Sequence, residues 1–350
     1  MRMRALIAGG STLVLVVACS SGGGSTATAP AASAATTSAP ASAEASAAAP
    51  VASSSAGGGA SSNDVALVLG VKGSPFYEAL ACGAKATATQ LGLNLSVSAG
   101  AQFAADAQIP VVQAVTAGHP AVAAIVPTDA QALVPPMKQL AQSGTKVFTI
   151  DQTLADTSFL QTQILTDNLQ GGAMAADEMN QLLGGKGSVL VITQPPGSTA
   201  QDQRTQGFVQ ELKKYPGLTY LGAQYQSDNP QKAASIITST LAAHSDLAGV
   251  FATNDQGAIG AVTGLQQAHA IGRVKLVAYD AAIAEVNAFL NGGITALIAQ
   301  NPNQEGQVAM QSAKKLIDGQ TLEKTILTPL VLIKPGDSTL ANQYVYKGNC

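Results

Sequence analysis

The sequence predicts an α/β protein of two doubly wound parallel-sheet lobes, because one strand–helix–strand unit occurs twice. In one copy, the apolar runs 247–252 and 274–278 flank a helical pattern, and the second run leads to Asp280. An earlier copy begins near residue 123, follows the same plan and leads to Asp151. Open parallel sheets bind ligands at the carboxyl ends of their strands. We therefore expect Asp151 and Asp280 to face each other across a cleft between similar lobes.

The chain begins with a segment that is typical of protein export. Two arginines precede the apolar run 5–17, which is too short to remain as a spanning helix, and a small residue precedes Cys19. Residues 16–19, Val-Val-Ala-Cys, resemble the bacterial lipoprotein box, in which the cysteine is lipidated and becomes the mature N-terminus. We predict a lipoprotein signal peptide over residues 1–19 and a lipid anchor at Cys19. The alternative is an ordinary secretory signal with an incidental cysteine.

A low-complexity linker separates this segment from the folded part. Residues 20–63 are almost wholly Ala, Ser, Gly, Thr and Pro, with Glu44 as the one charge. Such a composition cannot bury enough apolar surface to offset its ordering entropy, so we predict a disordered tether. From residue 64 onward, strand and helix patterns alternate with short connections, and the strands are near-continuous apolar runs. These features predict parallel sheets with helices on both faces.

Composition and motifs exclude several classes of function. A formal net charge of -3 with 11% charged residues leaves no basic patch for nucleic acid. No His or Cys cluster has metal-ligand spacing, and no Gly-x-Ser-x-Gly nucleophile elbow is present. We therefore expect a protein that is not an enzyme and needs neither metal nor cofactor.

Polar and aromatic residues gather at the predicted strand ends, although charged residues are few in this chain. They are Ser74, Phe76, Tyr77, Asp151, Gln152, Arg204, Asn254, Asp280 and Gln300. Sugar hydroxyls both donate and accept hydrogen bonds, so carboxylates, amides and a guanidinium suit them, and aromatic rings pack on the apolar faces of sugars. The alternative is that such residues only cap the following helices, as we expect for Asp129 and Asp255.

At these residues the chain resembles a known family. The part from residue 64 to about residue 336 is similar to the type I periplasmic binding proteins of the ribose-binding kind. The matching segments, in chain order, are Ser74-Pro75-Phe76-Tyr77, Pro127-Thr128-Asp129, Thr166-Asp167-Asn168 with Gly171-Gly172, Arg204 before Gly207-Phe208, Phe251-Ala252-Thr253-Asn254-Asp255, Tyr279-Asp280 and Ile298-Ala299-Gln300. The resemblance implies two lobes joined by a three-stranded hinge, with a sugar buried between them. Lobe 1 would comprise residues 64–165 and 301–328, lobe 2 residues 166–300 and 329–336, and a tail residues 337–350.

The resemblance also implies a role for each residue of the site. Ser74 and Asp151 would face the sugar from lobe 1, and Phe76 and Tyr77 would stack on it. The second lobe and the hinge would hydrogen-bond it through Arg204, Asn254, Asp280 and Gln300. The family's ribose binders have Arg where this chain has Gln152, Asn where it has Val126, and an aromatic residue near Asp228. Fewer donors in lobe 1 leave the ligand open among ribose, another pentose, a hexose and an open-chain polyol.

Together these features predict a monomeric, extracytoplasmic lipoprotein that binds a sugar or polyol and delivers it to the permease of an ATP-binding-cassette importer. One alternative is a receptor that presents its ligand to a membrane sensor or chemotaxis partner. Another is a binder of a furanosyl signal molecule. An enzymatic function has no catalytic constellation to support it.

Besides Cys19, the chain has two cysteines. Cys82 falls in the first predicted helix, and Cys350 is the last residue of a polar tail. An exported protein meets an oxidising compartment, where an even pair of thiols tends to join. We therefore predict a Cys82–Cys350 disulfide that holds the tail on lobe 1. In the alternative, Cys82 is a buried small apolar residue and Cys350 a loose end.

Overall fold

A computed structural model describes residues 63–348 and residue 350. The predictions for the signal peptide, the anchor at Cys19 and nearly all of the linker lie outside the described residues. Within them, no helix has the length and apolar character needed to cross a membrane.

The first half of the described chain alternates strand and helix. Its elements are β1 (Asp64–Leu69), α1 (Pro75–Leu91), β2 (Asn94–Ala99), α2 (Ala105–Gly118), β3 (Val122–Ile125), α3 (Val134–Gln142), β4 (Lys146–Ile150) and β5 (Gln163–Thr166). The five strands are joined by β11 (Thr325–Thr328), which returns from the far end of the chain. The resulting six-stranded sheet has the order β11-β5-β4-β3-β1-β2, and every pair is parallel. We call this sheet and the helices packed on it lobe 1.

The second half repeats the plan. Its elements are α4 (Asn168–Leu183), β6 (Gly187–Thr193), α5 (Thr199–Leu212), β7 (Leu218–Tyr225), α6 (Pro230–Ala243), β8 (Leu247–Ala252), α7 (Asp255–Gln267), β9 (Lys275–Tyr279), α8 (Ile283–Leu290), β10 (Ala296–Ala299), α9 (Pro302–Ile317), β12 (Val331–Ile333) and α10 (Ser338–Tyr344). The sheet order is β12-β10-β9-β8-β6-β7, and only β12 is antiparallel to its neighbour. We call this sheet and its helices lobe 2; α9 packs on α1 and belongs to lobe 1.

The two sheets share one topology, and the predicted fold class is confirmed. In each, the second strand lies at the edge beside the first, and the third, fourth and fifth follow on the other side. This is a doubly wound order whose ligand crevice lies at the carboxyl ends of the strands. The chain passes between the sheets at residues 166–168, 299–302 and 328–331. These three crossings are the hinge.

Two glycines bring α4 against α5 and thereby position the helix that carries Arg204. A Cβ atom on Gly172 would lie 2.0 Å from the Arg204 carbonyl oxygen, and one on Gly207 would lie 2.0 Å from the Leu169 carbonyl oxygen. Any larger residue would therefore push the helices apart. The sequence resemblance included both glycines, and the structure shows this physical reason for them.

The tail differs from the expectation of a simple polar extension. Residues 338–344 form α10, and Ala341 is fully buried. Beyond α10, Cys350 is joined to Cys82 of α1 by a disulfide, with the Cα atoms 5.5 Å apart. The tail thus begins on lobe 2 and ends on lobe 1.

Candidate ligand-binding site

A cavity lies between the lobes at the carboxyl ends of the strands. All nine residues that the sequence singled out line it: Ser74, Phe76, Tyr77, Asp151, Gln152, Arg204, Asn254, Asp280 and Gln300. The structure adds six residues that sequence reasoning did not place there: Val71, Phe103, Gln194, Gln201, Asp228 and Asp255. Gln194 directly follows β6, so the strand-end rule could have found it. Phe103 lies in an irregular loop after β2 and carried no such signal.

The two facing aspartates occupy unusual backbone positions. Asp151 follows β4 with φ 63°, and Asp280 follows β9 with φ 93°. Positive φ is uncommon for residues with a side chain, and such strain persists where the surrounding structure enforces it. Each turn directs the carboxylate into the cavity at the point where its strand ends.

On the lobe 1 side, aromatic rings support a carboxylate. The Tyr77 hydroxyl donates to Asp151 Oδ2 over 3.0 Å, and the Tyr77 ring is parallel to that of Phe103 with centroids 6.5 Å apart. Phe76 meets Tyr77 edge to face. Burial raises the pKa of Asp151 to about 6, although the Arg204 guanidinium and the Tyr77 hydroxyl act in the opposite direction. Tyr77 therefore holds Asp151 in place as well as lining the cavity.

Arg204 is buried, and two of its three guanidinium nitrogens have hydrogen-bond partners among the described residues. Its Nε donates to Asn168 Oδ1 and its Nη1 to the Thr253 carbonyl, each over 2.8 Å. The guanidinium lies 3.7 Å above the ring of Tyr279. Nη2 is buried with no hydrogen-bond partner in the part of the chain that the structure describes. Because an unmet buried donor is costly, this nitrogen is suited to a ligand acceptor.

Asp280 is held by three donors. Its Oδ1 accepts from Gln300 Nε2 at 2.6 Å and from the Tyr346 hydroxyl at 2.9 Å, while its Oδ2 accepts from the Asp255 backbone N–H at 3.2 Å. Gln300 Oε1 in turn accepts from the hydroxyl of Thr166 at the hinge. Tyr346 comes from the tail, and nothing in the sequence indicated its contact with the site.

The expectation that Asp255 caps a helix is wrong. Asn254 caps α7 instead, because its side-chain oxygen accepts from the Gly257 N–H at 3.0 Å. Asp255 is buried against the cavity, and burial together with the charge of Asp280 raises its pKa to about 7. Asp129 does not cap α3 either, because Leu133 is the N-cap residue of that helix; the Asp129 Oδ1 accepts from the backbone N–H groups of Gln131 and Ala132 in the turn that precedes it.

Asp228 contributes a carboxylate to the lobe 2 side of the cavity. Asp228 Oδ1 accepts from Asn254 Nδ2 at 3.0 Å and from Gln194 Nε2 at 3.1 Å. Burial raises the pKa of Asp228. The lobe 2 wall is therefore polar at this position, near which the sequence resemblance implied an aromatic ring.

Gln152 joins the two lobes. Its Oε1 accepts from the Ala200 N–H at 2.8 Å and from the Thr199 hydroxyl at 2.9 Å, and its Nε2 donates to Ser198 Oγ at 3.2 Å. All three partners lie at the N-terminal end of α5 in lobe 2. The Thr153 N–H adds a fourth bond, to Thr199 Oγ1. The lobes are therefore in contact across the cleft, and both ends of the Gln152 amide serve that contact.

The described residues hold no group of three or more His, Cys, Asp or Glu side chains arranged to bind a metal ion. The cavity instead presents carboxylates, amides, one guanidinium and aromatic rings, between two hinged lobes. Fold and site together define the class of hinged, two-lobed receptors for small polar solutes.

Comparison with known proteins specifies the family. A family model described as a periplasmic binding protein domain matches residues 65–321, and the chain belongs to this family. It is homologous to the ribose import binding protein RbsB of Escherichia coli (strain K12), with 30% identity over 269 residues that cover 77% of this chain and 90% of that protein. It also matches the D-apiose import binding protein of Actinobacillus succinogenes, with 25% identity over 80% of this chain and 91% of that protein.

Solved structures of sugar-binding transport proteins are similar to this chain in fold. A solute-binding protein of an ABC transporter from Agrobacterium vitis, bound with alpha-D-tagatopyranose, is 34% identical and superposes with a TM-score of 0.79, covering 81% of this chain and 99% of that one. A carbohydrate transporter solute-binding protein from Agrobacterium radiobacter, in complex with D-arabinose, is 25% identical with a TM-score of 0.77 over 81% and 98% of the two chains.

Proposed function

We propose that this protein is a solute-binding lipoprotein that captures a sugar or polyol between its lobes and delivers it to the permease of an ATP-binding-cassette importer. It performs no chemistry and acts as a monomer outside the cytoplasm. The observation that carries the proposal is the cavity between the lobes, which is lined by carboxylates of both lobes and by Arg204, whose Nη2 has no hydrogen-bond partner among the described residues. The sugars and importers named for its relatives support the same function.

The polar groups of the cavity match a hydroxyl-rich, neutral ligand. Asp151, Asp228 and Asp280 accept from ligand hydroxyls, and Arg204 Nη2 donates to a ring or hydroxyl oxygen. Ser74, Asn254 and Gln300 complete the polar lining, while Phe76 and Tyr77 cover the apolar face of the ligand. Because Asp228 makes the lobe 2 wall polar, the ligand presents hydroxyls rather than a bare ring face on that side.

Closure of the hinge is the proposed mechanism. The bonds from Gln152 to the start of α5 form only when the lobes approach, so they stabilise the closed state around the ligand. A ligand that contacts both lobes shifts the population from open to closed. The closed form is then the one that a permease recognises.

A binding screen tests this function. The exported protein is heated with D-ribose, D-arabinose, D-allose, D-tagatose, D-fucose and xylitol, and each hit is measured by calorimetry. A ligand at a hundred times its dissociation constant stabilises a protein by about 2.7 kcal/mol. Arg204→Ala should abolish the shift, while Arg273→Ala, which alters an exposed arginine, should retain it. Absence of any shift across the panel and related polyols would contradict the proposed function.

The anchor has its own test. In an exporting host, the parent chain should fractionate with membranes and Cys19→Ser should be released or remain unprocessed. A parent chain that is itself released would favour the ordinary secretory signal. Lipid attachment and sugar binding are measured separately, so either can fail alone.

A further inference from the structure

The C-terminal strap, defined as residues 345–348 together with Cys350, links the lobes a fourth time. Where it leaves α10, the Tyr346 N–H donates to the Ala281 carbonyl of lobe 2 over 3.0 Å. At its end, the Cys350 disulfide fastens it to Cys82 in α1 of lobe 1. The strap runs beside the hinge, because residues 343–347 and 301–303 line a common surface cleft. The three hinge crossings are continuous backbone, whereas the strap is attached to lobe 1 by a disulfide.

Tyr346 touches both halves of the candidate site. It is 4% exposed, and its hydroxyl donates to Asp280 Oδ1 over 2.9 Å. Its ring meets that of Phe76 edge to face, with centroids 5.8 Å apart. Asp280 belongs to lobe 2 and Phe76 to lobe 1, and both line the cavity. Tyr346 does not line the cavity itself, so any effect on a ligand passes through these neighbours.

The hydroxyl restricts how Asp280 can turn. A carboxylate has about four lone-pair sites on its two oxygens. Tyr346 and Gln300 occupy those of Oδ1, and the Asp255 N–H takes one on Oδ2. One site on Oδ2 therefore remains for a ligand hydroxyl. Without the tyrosine hydroxyl, Oδ1 keeps only the Gln300 donor, and the carboxylate is held less firmly in its binding orientation.

The disulfide limits how far the strap can travel. Four residue steps separate Tyr346 from Cys350, and an extended chain spans at most about 14 Å over that length. Lobe 1 therefore cannot swing far from Asp280 while Tyr346 keeps its hydrogen bond. With the disulfide broken, no covalent bond joins the strap to lobe 1, and Tyr346 can separate from Phe76 during opening.

We propose that Tyr346 is a positioning residue for ligand binding, which holds Asp280 in its binding orientation, and that the Cys82–Cys350 disulfide keeps the strap in place and restrains the opening of the lobes. The positioning role rests on the proposed function. The restraint on opening does not require a ligand.

The first experiment measures affinity by calorimetry, with the tightest-binding sugar or polyol of the panel above as the probe. Tyr346→Phe retains the ring and removes the hydroxyl, and should weaken binding roughly tenfold or more, because hydrogen bonds to charged groups are among the stronger ones. The matched control is Tyr344→Phe, in the same tail but without a hydrogen bond to the site. Free of ligand, Tyr344→Phe should unfold at the temperature of the parent and Tyr346→Phe a few degrees lower, because it loses a buried hydrogen bond, so affinities are measured where all three proteins are folded.

A double-mutant cycle separates positioning from a general structural effect. If Tyr346 acts through Asp280, then Tyr346→Phe should cost nothing further in an Asp280→Ala background, which has no acceptor for the tyrosine hydroxyl. Equal losses in the parent and in Asp280→Ala would overturn the positioning role, as would an unchanged affinity of Tyr346→Phe.

The second experiment uses small-angle X-ray scattering of the ligand-free, exported protein before and after reduction with dithiothreitol. Reduction should increase the radius of gyration, and the Cys82→Ser/Cys350→Ser variant should have the larger value with or without reductant. Identical radii in all four samples would overturn the restraint. If no probe sugar binds the parent, the proposed function and the positioning role fail together, while the scattering result still decides the restraint.

Discussion

Replacement of Gln152 by alanine isolates the energy of lobe closure. The side chain makes three hydrogen bonds to the N-terminal end of α5, and all three cross between the lobes. In an open protein, water would satisfy the same groups. In the closed protein without the glutamine, the Ala200 N–H would lose its partner in a buried position. The substitution should therefore destabilise the closed form and leave the open form nearly unchanged.

The size of the effect follows from the bonds that are lost. Hydrogen bonds contribute about 0.5 to 1.5 kcal/mol each and are not additive, so the closed state should lose about 2 kcal/mol. If the ligand-free protein is mainly open, the loss of closed-state stability lowers the apparent affinity for the ligand by the same free energy, which is roughly thirtyfold. The rate of ligand dissociation should rise, because the closed complex opens more easily.

Calorimetry of Gln152→Ala with the identified ligand measures this loss, and stopped-flow dissociation locates it in the off-rate. The control is Gln142→Ala, at the exposed end of α3 and away from the cleft. Thermal unfolding of both ligand-free variants should match the parent. An affinity equal to that of the parent would refute the reasoning, since closure would then not depend on Gln152.

Three further predictions concern the cavity. Asp280→Ala should weaken binding by roughly 1.5 to 3 kcal/mol, because it removes a buried charged acceptor, and an unchanged calorimetric affinity would remove Asp280 from the site. Arg204→Lys should also be costly, since a point charge cannot replace a guanidinium that bonds through Nε and Nη1 and stacks on Tyr279; equal dissociation constants would place Arg204 outside ligand contact. The raised pKa of Asp255, about 7, means that its protonated form favours the folded state, so its contribution to stability is full below about pH 4 and is lost as the pH rises through 7. Asp255→Asn should therefore raise the unfolding temperature at about pH 8 but not at about pH 4, and an equal change at both values would contradict that assignment.

The sequence by itself determined the architecture and the location of the cavity. Apolar runs of strand length indicate strands that are buried on both faces of a sheet, so the central strands could be identified from local pattern alone. The polar residue that follows each such strand then falls at the same sheet edge, as the lining by Asp151, Asn254 and Asp280 illustrates. By contrast, the short strands β11 and β12, of four and three residues, carry too little pattern to be recognised without their partners.

Only the tertiary structure decided which donor meets which acceptor. Gln152 and Asp151 are neighbours in the chain, yet Gln152 bonds across to α5 while Asp151 faces the cavity. Asn254, not Asp255, caps α7, and this leaves the Asp255 carboxylate buried beside Asp280. Tyr346 reaches Asp280 from 66 positions away in the chain. Periodicity records how each element is buried, whereas these pairings depend on how the lobes and the tail dock, which no local pattern contains.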